Sequence, residues 1–222
     1  MKNIMIILIA FLSFVYCNEK EKIFYTAKFK NVNAGTAVLE TTNNLNDELI
    51  EIYFSLKTRK VIDVFYKLRD RISAQIYSND YSLKTIKKTT QQGRYKKIDE
   101  AKFDYENNIF EYNNKLLSIN KRVYDPLSII TYLRNQTLYL EKEFNFDIYS
   151  KGTIKSINLT VIDEEVIKIK NKKYNCFVIG HKIPNQSEIT LCVEKKQPYL
   201  PIVIHTQGKY GDIVLQYKSY KP

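Results

Sequence analysis

The stretch Tyr124-Asp125-Pro126-Leu127-Ser128-Ile129-Ile130-Thr131-Tyr132-Leu133-Arg134 decides how the rest of the chain is read. Asp125 can accept hydrogen bonds from the first free backbone N–H groups of a helix, and Pro126 suits its first turn. Leu127, Ile130 and Leu133 then fall at helical spacing, and Ile129 widens the same apolar stripe. The surroundings are written in a different period. A single short helix inside a β chain must lie against a sheet or plug one.

Upstream, Tyr25, Ala27 and Phe29 alternate with Thr26 and Lys28, and Asn31 to Gly35 supply a turn. Ala37, Leu39 and Thr41 alternate again, Asn43 to Asp47 turn, and Ile50, Ile52, Phe54 and Leu56 keep the period of two. Between Lys60 and Arg69 the period changes, with Val61, Val64, Phe65 and Leu68 on one face of a second short helix. Alternation resumes at Asp70, and further strands are read near 83–90, 97–105 and 109–112. Past the central helix they recur near 144–149, 153–162, 166–169, 174–181, 188–194, 202–207 and 213–220, with Asp163-Glu164-Glu165 as a solvated turn.

Eighteen Tyr and eleven Phe against six Gly and five Pro agree with a β chain. About a dozen consecutive short strands cannot stay flat, because a flat sheet of that size exposes its edges and one apolar face. The expected fold is therefore mainly β: one strongly curved antiparallel sheet, a partial or closed β-barrel, with two short helices, one covering the open face. A two-sheet β-sandwich is the alternative.

The N-terminus reads as an address. Lys2 precedes an apolar run from Ile4 to Val15, too short for a membrane span, which needs ~20 residues. Residues 1–17 are read as a signal peptide and 18–222 as a single exported β domain, placed in the periplasm. The alternative is a membrane-anchored lipoprotein acylated on Cys17, disfavoured because Tyr16 stands where such sites want a small residue.

Lys and Arg number 35 against 24 Asp and Glu, a formal charge of +11. In an exported protein that balance points to anionic envelope surfaces or acidic glycans before nucleic acid. The basic residues form no long block and no nucleic-acid motif accompanies them, so they are read as scattered over a solvated surface. No nucleic-acid partner is expected, and membrane contact only through a lipidated Cys17 or the basic surface.

Two cysteines remain beyond residue 17. If the strands at 174–181 and 188–194 pair with Phe177 opposite Leu191 and Ile179 opposite Ile189, Cys176 falls opposite Cys192. Directly opposed residues lie within reach of a disulfide, and an oxidising compartment would favour one. Two small half-buried thiols that merely face each other are the alternative.

Catalytic signatures are missing: there is no G-x-S-x-G, H-E-x-x-H, P-loop or G-x-G-x-x-G. His181 and His205 are two lone imidazoles, too few for a zinc site without carboxylate help. No catalytic residue, metal or cofactor is assigned. Ser128 has no histidine near it in sequence and is expected to hydrogen-bond within its helix. Asp70 and Arg69 are read as a local ion pair or cap.

The chain resembles the bacterial domain-of-unknown-function 3108 (DUF3108) family of exported proteins over most of residues 23–220. The likeness rests on Tyr25 to Gly35, on Phe65-Tyr66-Lys67-Leu68-Arg69-Asp70-Arg71-Ile72, on Phe103-Asp104 and on Leu200-Pro201-Ile202 with Gly211. It is closest over Asp125-Pro126-Leu127-Ser128 with Tyr132-Leu133-Arg134. The resemblance implies exported β architecture and carries no activity. Asp70, Asp125, Ser128, Tyr132 and Arg134 stand as signature residues without an assigned role. The expected function is a non-catalytic envelope protein binding a hydrophobic or amphipathic, lipid-like ligand inside the curved sheet. The alternative is a structural or assembly protein that contacts another envelope protein. An enzyme would need Asp70, Asp125 and Arg134 to converge in one cleft.

Overall fold

The computed structural model describes residues 18–30, 32–44, 48–64, 66–150, 152–181, 189–206 and 212–222, and for Asn18, Glu19 and Asn44 the backbone alone. The proposed signal peptide and Cys17 lie outside the described residues. The first half of the chain forms β1 (Asn18–Phe29), β2 (Val32–Asn44), β3 (Leu49–Thr58), the helix α1 (Lys60–Asp63), β4 (Leu68–Tyr77), β5 (Leu83–Gln92), β6 (Tyr95–Asp104), β7 (Ile109–Tyr112) and β8 (Lys115–Ser118). The second half forms β9 (Val123–Tyr124), helix α2 (Pro126–Arg134), β10 (Glu143–Ser150), β11 (Thr153–Ile169), β12 (Lys172–Gly180), β13 (Ile189–Glu194), β14 (Pro201–Thr206) and β15 (Ile213–Lys221).

These strands make one sheet in the order β8-β7-β6-β5-β4-β3-β2-β1-β15-β14-β13-β12-β11-β10-β9. Neighbours in sequence are neighbours in space, and β15 returns to lie antiparallel to β1, with Tyr25 opposite Tyr217. The two edges, β8 and β9, are consecutive in the chain, so the meander curls until its edges meet. Backbone hydrogen bonds do not join them, and the barrel stays open there. Side chains bridge the gap instead. Tyr149 of β10 stands edge-on to Phe103 of β6, with ring centroids 5.5 Å apart, and to Phe110 of β7 at 6.2 Å. The Tyr105 hydroxyl donates to the Leu83 carbonyl at 2.8 Å and accepts from the Val123 N–H at 3.3 Å.

Period-two patterning positions the core. On β3, Ile50, Ile52, Phe54 and Leu56 are buried while Glu51 and Lys57 face out. Ile23, Tyr25 and Ala27 continue the inner face on β1, and Leu191, Ile204 and Leu215 on the far side. Gly35 permits the tight β2–β3 approach: a Cβ there would sit 2.3 Å from the Lys57 carbonyl oxygen.

Several expectations change. The second helix is only Lys60–Asp63, and its apolar face is bare, with Val61 75% and Val64 80% exposed. Asp163-Glu164-Glu165 is not a turn. It lies within β11, whose pairing with β12 runs on past a bulge at Ile162. The cysteine register is offset by two: Val178 opposes Cys192, and Cys176 opposes Glu194. Both thiols are free and buried, diagonal neighbours instead of an opposed pair. A shift of two residues keeps every side chain on its own face, so hydrophobic alternation cannot distinguish the two registers.

Candidate functional site

Helix α2 follows the sequence signal closely at its start. Asp125 accepts from the Ser128 N–H at 2.9 Å and the Leu127 N–H at 3.3 Å, while the Ser128 hydroxyl accepts from the Asp125 N–H at 2.8 Å. This reciprocal capping box satisfies donors that would otherwise be orphaned at a buried helix end. It also accounts for Ser128, which donates its own proton to the Asp125 carbonyl at 2.9 Å.

The helix is enclosed and does not merely cover an open face. Leu127, Ser128, Ile129, Ile130, Thr131 and Leu133 are all buried. A helix with no solvated stripe belongs inside a core. Tyr132 fills the space beside it, packing edge-on to Tyr81 at 5.8 Å and to Phe144 and Phe146 of β10 at 6.1 and 5.3 Å. α2 and these aromatic rings thus occupy part of the space inside the sheet where a lipid-like ligand was expected.

At the C-terminal end, Arg134 forms a two-pronged ion pair with Glu21 of β1 and donates to the Pro198 carbonyl at 3.3 Å. Burial works against the guanidinium charge, but the Glu21 hydrogen bonds and field outweigh it and raise its affinity for the proton. The Tyr25 hydroxyl and Arg134 Nε are buried beside this pair without a hydrogen-bond partner. Burial holds the Tyr25 proton far more tightly than in solution. Glu21 and Tyr25 were not singled out from the sequence, because nothing local marks a strand residue as the partner of a distant helix end.

The signature residues do not converge. Asp125 and Arg134 stand at opposite ends of a nine-residue helix, about 14 Å apart along its axis. Asp70 shares the inner face of β4 with Ala74 and Ile76, and both it and Asp125 feel the Lys88 charge. Burial raises the Asp70 carboxyl, opposed by the Lys88 charge and a Thr90 hydrogen bond, and its Oδ1 has no partner. Arg69, facing outward, pairs with Asp63 and not with Asp70. Neighbouring strand residues point to opposite faces, so adjacency in sequence separates Arg69 from Asp70. Among the described residues, no cluster of three or more His, Cys, Asp or Glu is arranged to hold a metal ion.

A concavity also lies on the outside. A groove of about 940 Å³ crosses the outer face from Lys20 of β1 to β7. Glu51, Lys87, Glu100, Lys102 and Glu111 give its walls alternating charge, with Tyr53 and Ile98 among them. Lys87 and Glu100 form an ion pair across β5 and β6.

Among solved structures, the chain is similar to the crystal structure of a β-barrel-like protein of domain of unknown function DUF1849 from Brucella abortus. The two share 9% identity at a TM-score of 0.63, over 91% of this chain and 97% of that one, a likeness of fold alone. No curated protein sequence matches significantly. The profile described as "Protein of unknown function (DUF3108)" matches residues 25–218, nearly the whole described sheet. The chain belongs to the DUF3108 family.

Proposed function

We propose that the protein is an exported, non-catalytic assembly protein of the cell envelope, which engages another polypeptide along the outer groove of β1–β7. One observation carries this reading: α2 lies with its side chains buried against the inside of the sheet, while an open groove lies on the outside. Its walls alternate in charge, which suits a partner segment bearing both signs and suits a lipid tail poorly. The Lys87–Glu100 pair is exposed on both sides, so a partner can exchange it for its own charges at little cost. The adjoining edge strand β8 leaves Leu116 and Leu117 exposed and one row of backbone groups unpaired, a further template for an extended chain. Export is supported by Lys2 and the apolar run that follows it.

A photo-activated crosslinking residue placed at Ser73 or Thr85, in the floor of the groove, tests this in the native cell. The expected result is one discrete protein adduct from these sites and none from Val166, exposed on β11. Adducts of equal yield at all three positions would defeat the proposal. Native mass spectrometry that finds a bound lipid displaced by Tyr53→Asp would favour an amphipathic ligand in the same groove instead.

A further inference from the structure

The positive charge that looks scattered in sequence is gathered by the fold. The β1–β2 turn, the β3–β4 connection and the β5–β6 turn lie side by side at one rim of the sheet. Two backbone bonds tie them together: Arg59 N–H to the Ala34 carbonyl at 2.9 Å, and Gly93 N–H to the Lys67 carbonyl at 2.7 Å. Residues 28–34, 57–69 and 91–96 hold nine Lys and Arg and one acid, Asp63, so they carry eight of the chain's eleven net positive charges. Lys30, Lys57, Arg59, Lys60, Arg94 and Lys96 are exposed there.

The same rim carries apolar side chains that the core does not use. Val32 is 60% exposed and Tyr95 56%, beside the still barer Val61 of α1 and Val64 just after it. The orientation of α1 explains the valines. Its polar side is tied back to the sheet: Asp63 pairs with Arg69, whose Nη1 also donates to Thr58 Oγ1 at 2.9 Å, and the Leu68 N–H donates to that same oxygen at 3.0 Å. An amphipathic turn held by its polar side presents its apolar side to whatever lies outside. Below the rim, Lys67, Arg69, Arg71, Thr89 and Gln91 line a shallow hollow of about 290 Å³, roomy enough for a phosphate headgroup.

We propose that this three-hairpin rim docks the protein onto a membrane surface rich in anionic phospholipids, with the valines and tyrosine entering the interface and the basic side chains meeting headgroup phosphates. Charge complementarity selects an anionic surface, and protruding apolar tips ringed by Lys and Arg match the pattern of interfacial anchoring. Nucleic acid fits less well, because aliphatic valines at turn tips have no base to stack on. This surface is separate from the outer groove, so the two readings stand or fall independently.

The test is sedimentation of the full chain, carrying Cys17→Ser to remove any acyl anchor, with phosphatidylcholine vesicles containing about one-third phosphatidylglycerol. Any binding by the N-terminal segment is common to all variants and cancels in the comparison. Lys60→Glu/Arg94→Glu is expected to weaken partitioning roughly tenfold or more, since each basic residue near such a surface contributes appreciably. Val61→Ser/Val64→Ser should weaken it severalfold without changing its salt dependence. Lys168→Glu/Lys172→Glu, the same charge change on exposed positions of β11 and β12, should bind like the parent. Equal binding by the rim variants, equal loss in the control pair, or binding to duplex RNA but not to vesicles would each overturn the proposal.

Discussion

Arg134 at the end of α2 and Glu21 on β1 are 113 positions apart in sequence and meet in a two-pronged ion pair that fixes the buried helix to an interior strand of the sheet. The Arg134 side chain is 9% exposed and that of Glu21 21%. Removing one partner leaves the other poorly compensated, so Arg134→Ala or Glu21→Ala should destabilise the fold by about 2–3 kcal/mol. That lies below the ~3–5 kcal/mol typical of a fully buried pair, because Glu21 keeps some water. Urea unfolding checks this. Arg134→Met/Glu21→Met should recover part of the loss, and a double variant as unstable as the worse single one would contradict the pairing argument.

The capping box at the other end predicts a pH effect with a definite sign. Burial pushes the Asp125 carboxyl above its ordinary range, opposed by the Ser128 and Leu127 hydrogen bonds. The folded state therefore holds this proton more tightly than the unfolded chain. Stability due to this group should fall as pH rises from the ordinary carboxylate range to the raised value, then level off. Asp125→Asn keeps one acceptor oxygen for the Ser128 N–H, gives up the longer bond from the Leu127 N–H and removes the charge, so it should flatten that slope and lose less stability at neutral pH than Asp125→Ala. Asp125→Ala loses the cap and should cost ~1–2 kcal/mol. Denaturation midpoints across mildly acidic to neutral pH distinguish the two.

What the sequence made legible follows from which physical signals are local. Alternation at Ile50, Ile52, Phe54 and Leu56 located β3, and Asp125-Pro126 located the start of α2, because a pleat or a cap is decided within a few residues. The Cys176–Cys192 register was not legible, since alternation survives a two-residue slip. Nor was the partnership of Arg134 with Glu21, which joins residues 113 positions apart. The charged rim was hidden for the same reason: its basic residues come from three segments that only the meander brings together.

The offset register makes a chemical prediction. Cys176 and Cys192 are free, and burial pushes their thiols up to about 12 and about 11. The thiolate is the reactive form, so neither should react with a thiol reagent at mildly alkaline pH while the protein is folded. Both should react fully in denaturant without prior reduction. A chain whose mass rises by two hydrogen atoms on reduction would carry the disulfide and require the other register.

Asp63 supplies the opposite pH sign and probes the rim. The Arg69 and Thr58 hydrogen bonds draw its carboxyl down to about 2. A depressed carboxylate contributes stability that is fully present above the ordinary unfolded value and is lost as pH falls toward the folded one. Acid should therefore loosen the tie between α1 and β4 only below the usual carboxylate range, visible as faster amide exchange at Leu68, whose N–H bonds to Thr58 in the same network. Asp63→Asn should abolish that acid limb and show the fast exchange already at neutral pH. Because the substitution also removes the rim's one acid, its vesicle binding should equal or exceed that of the parent. A variant that still exchanges Leu68 slowly at neutral pH would show that Asp63 does not tie α1 to β4.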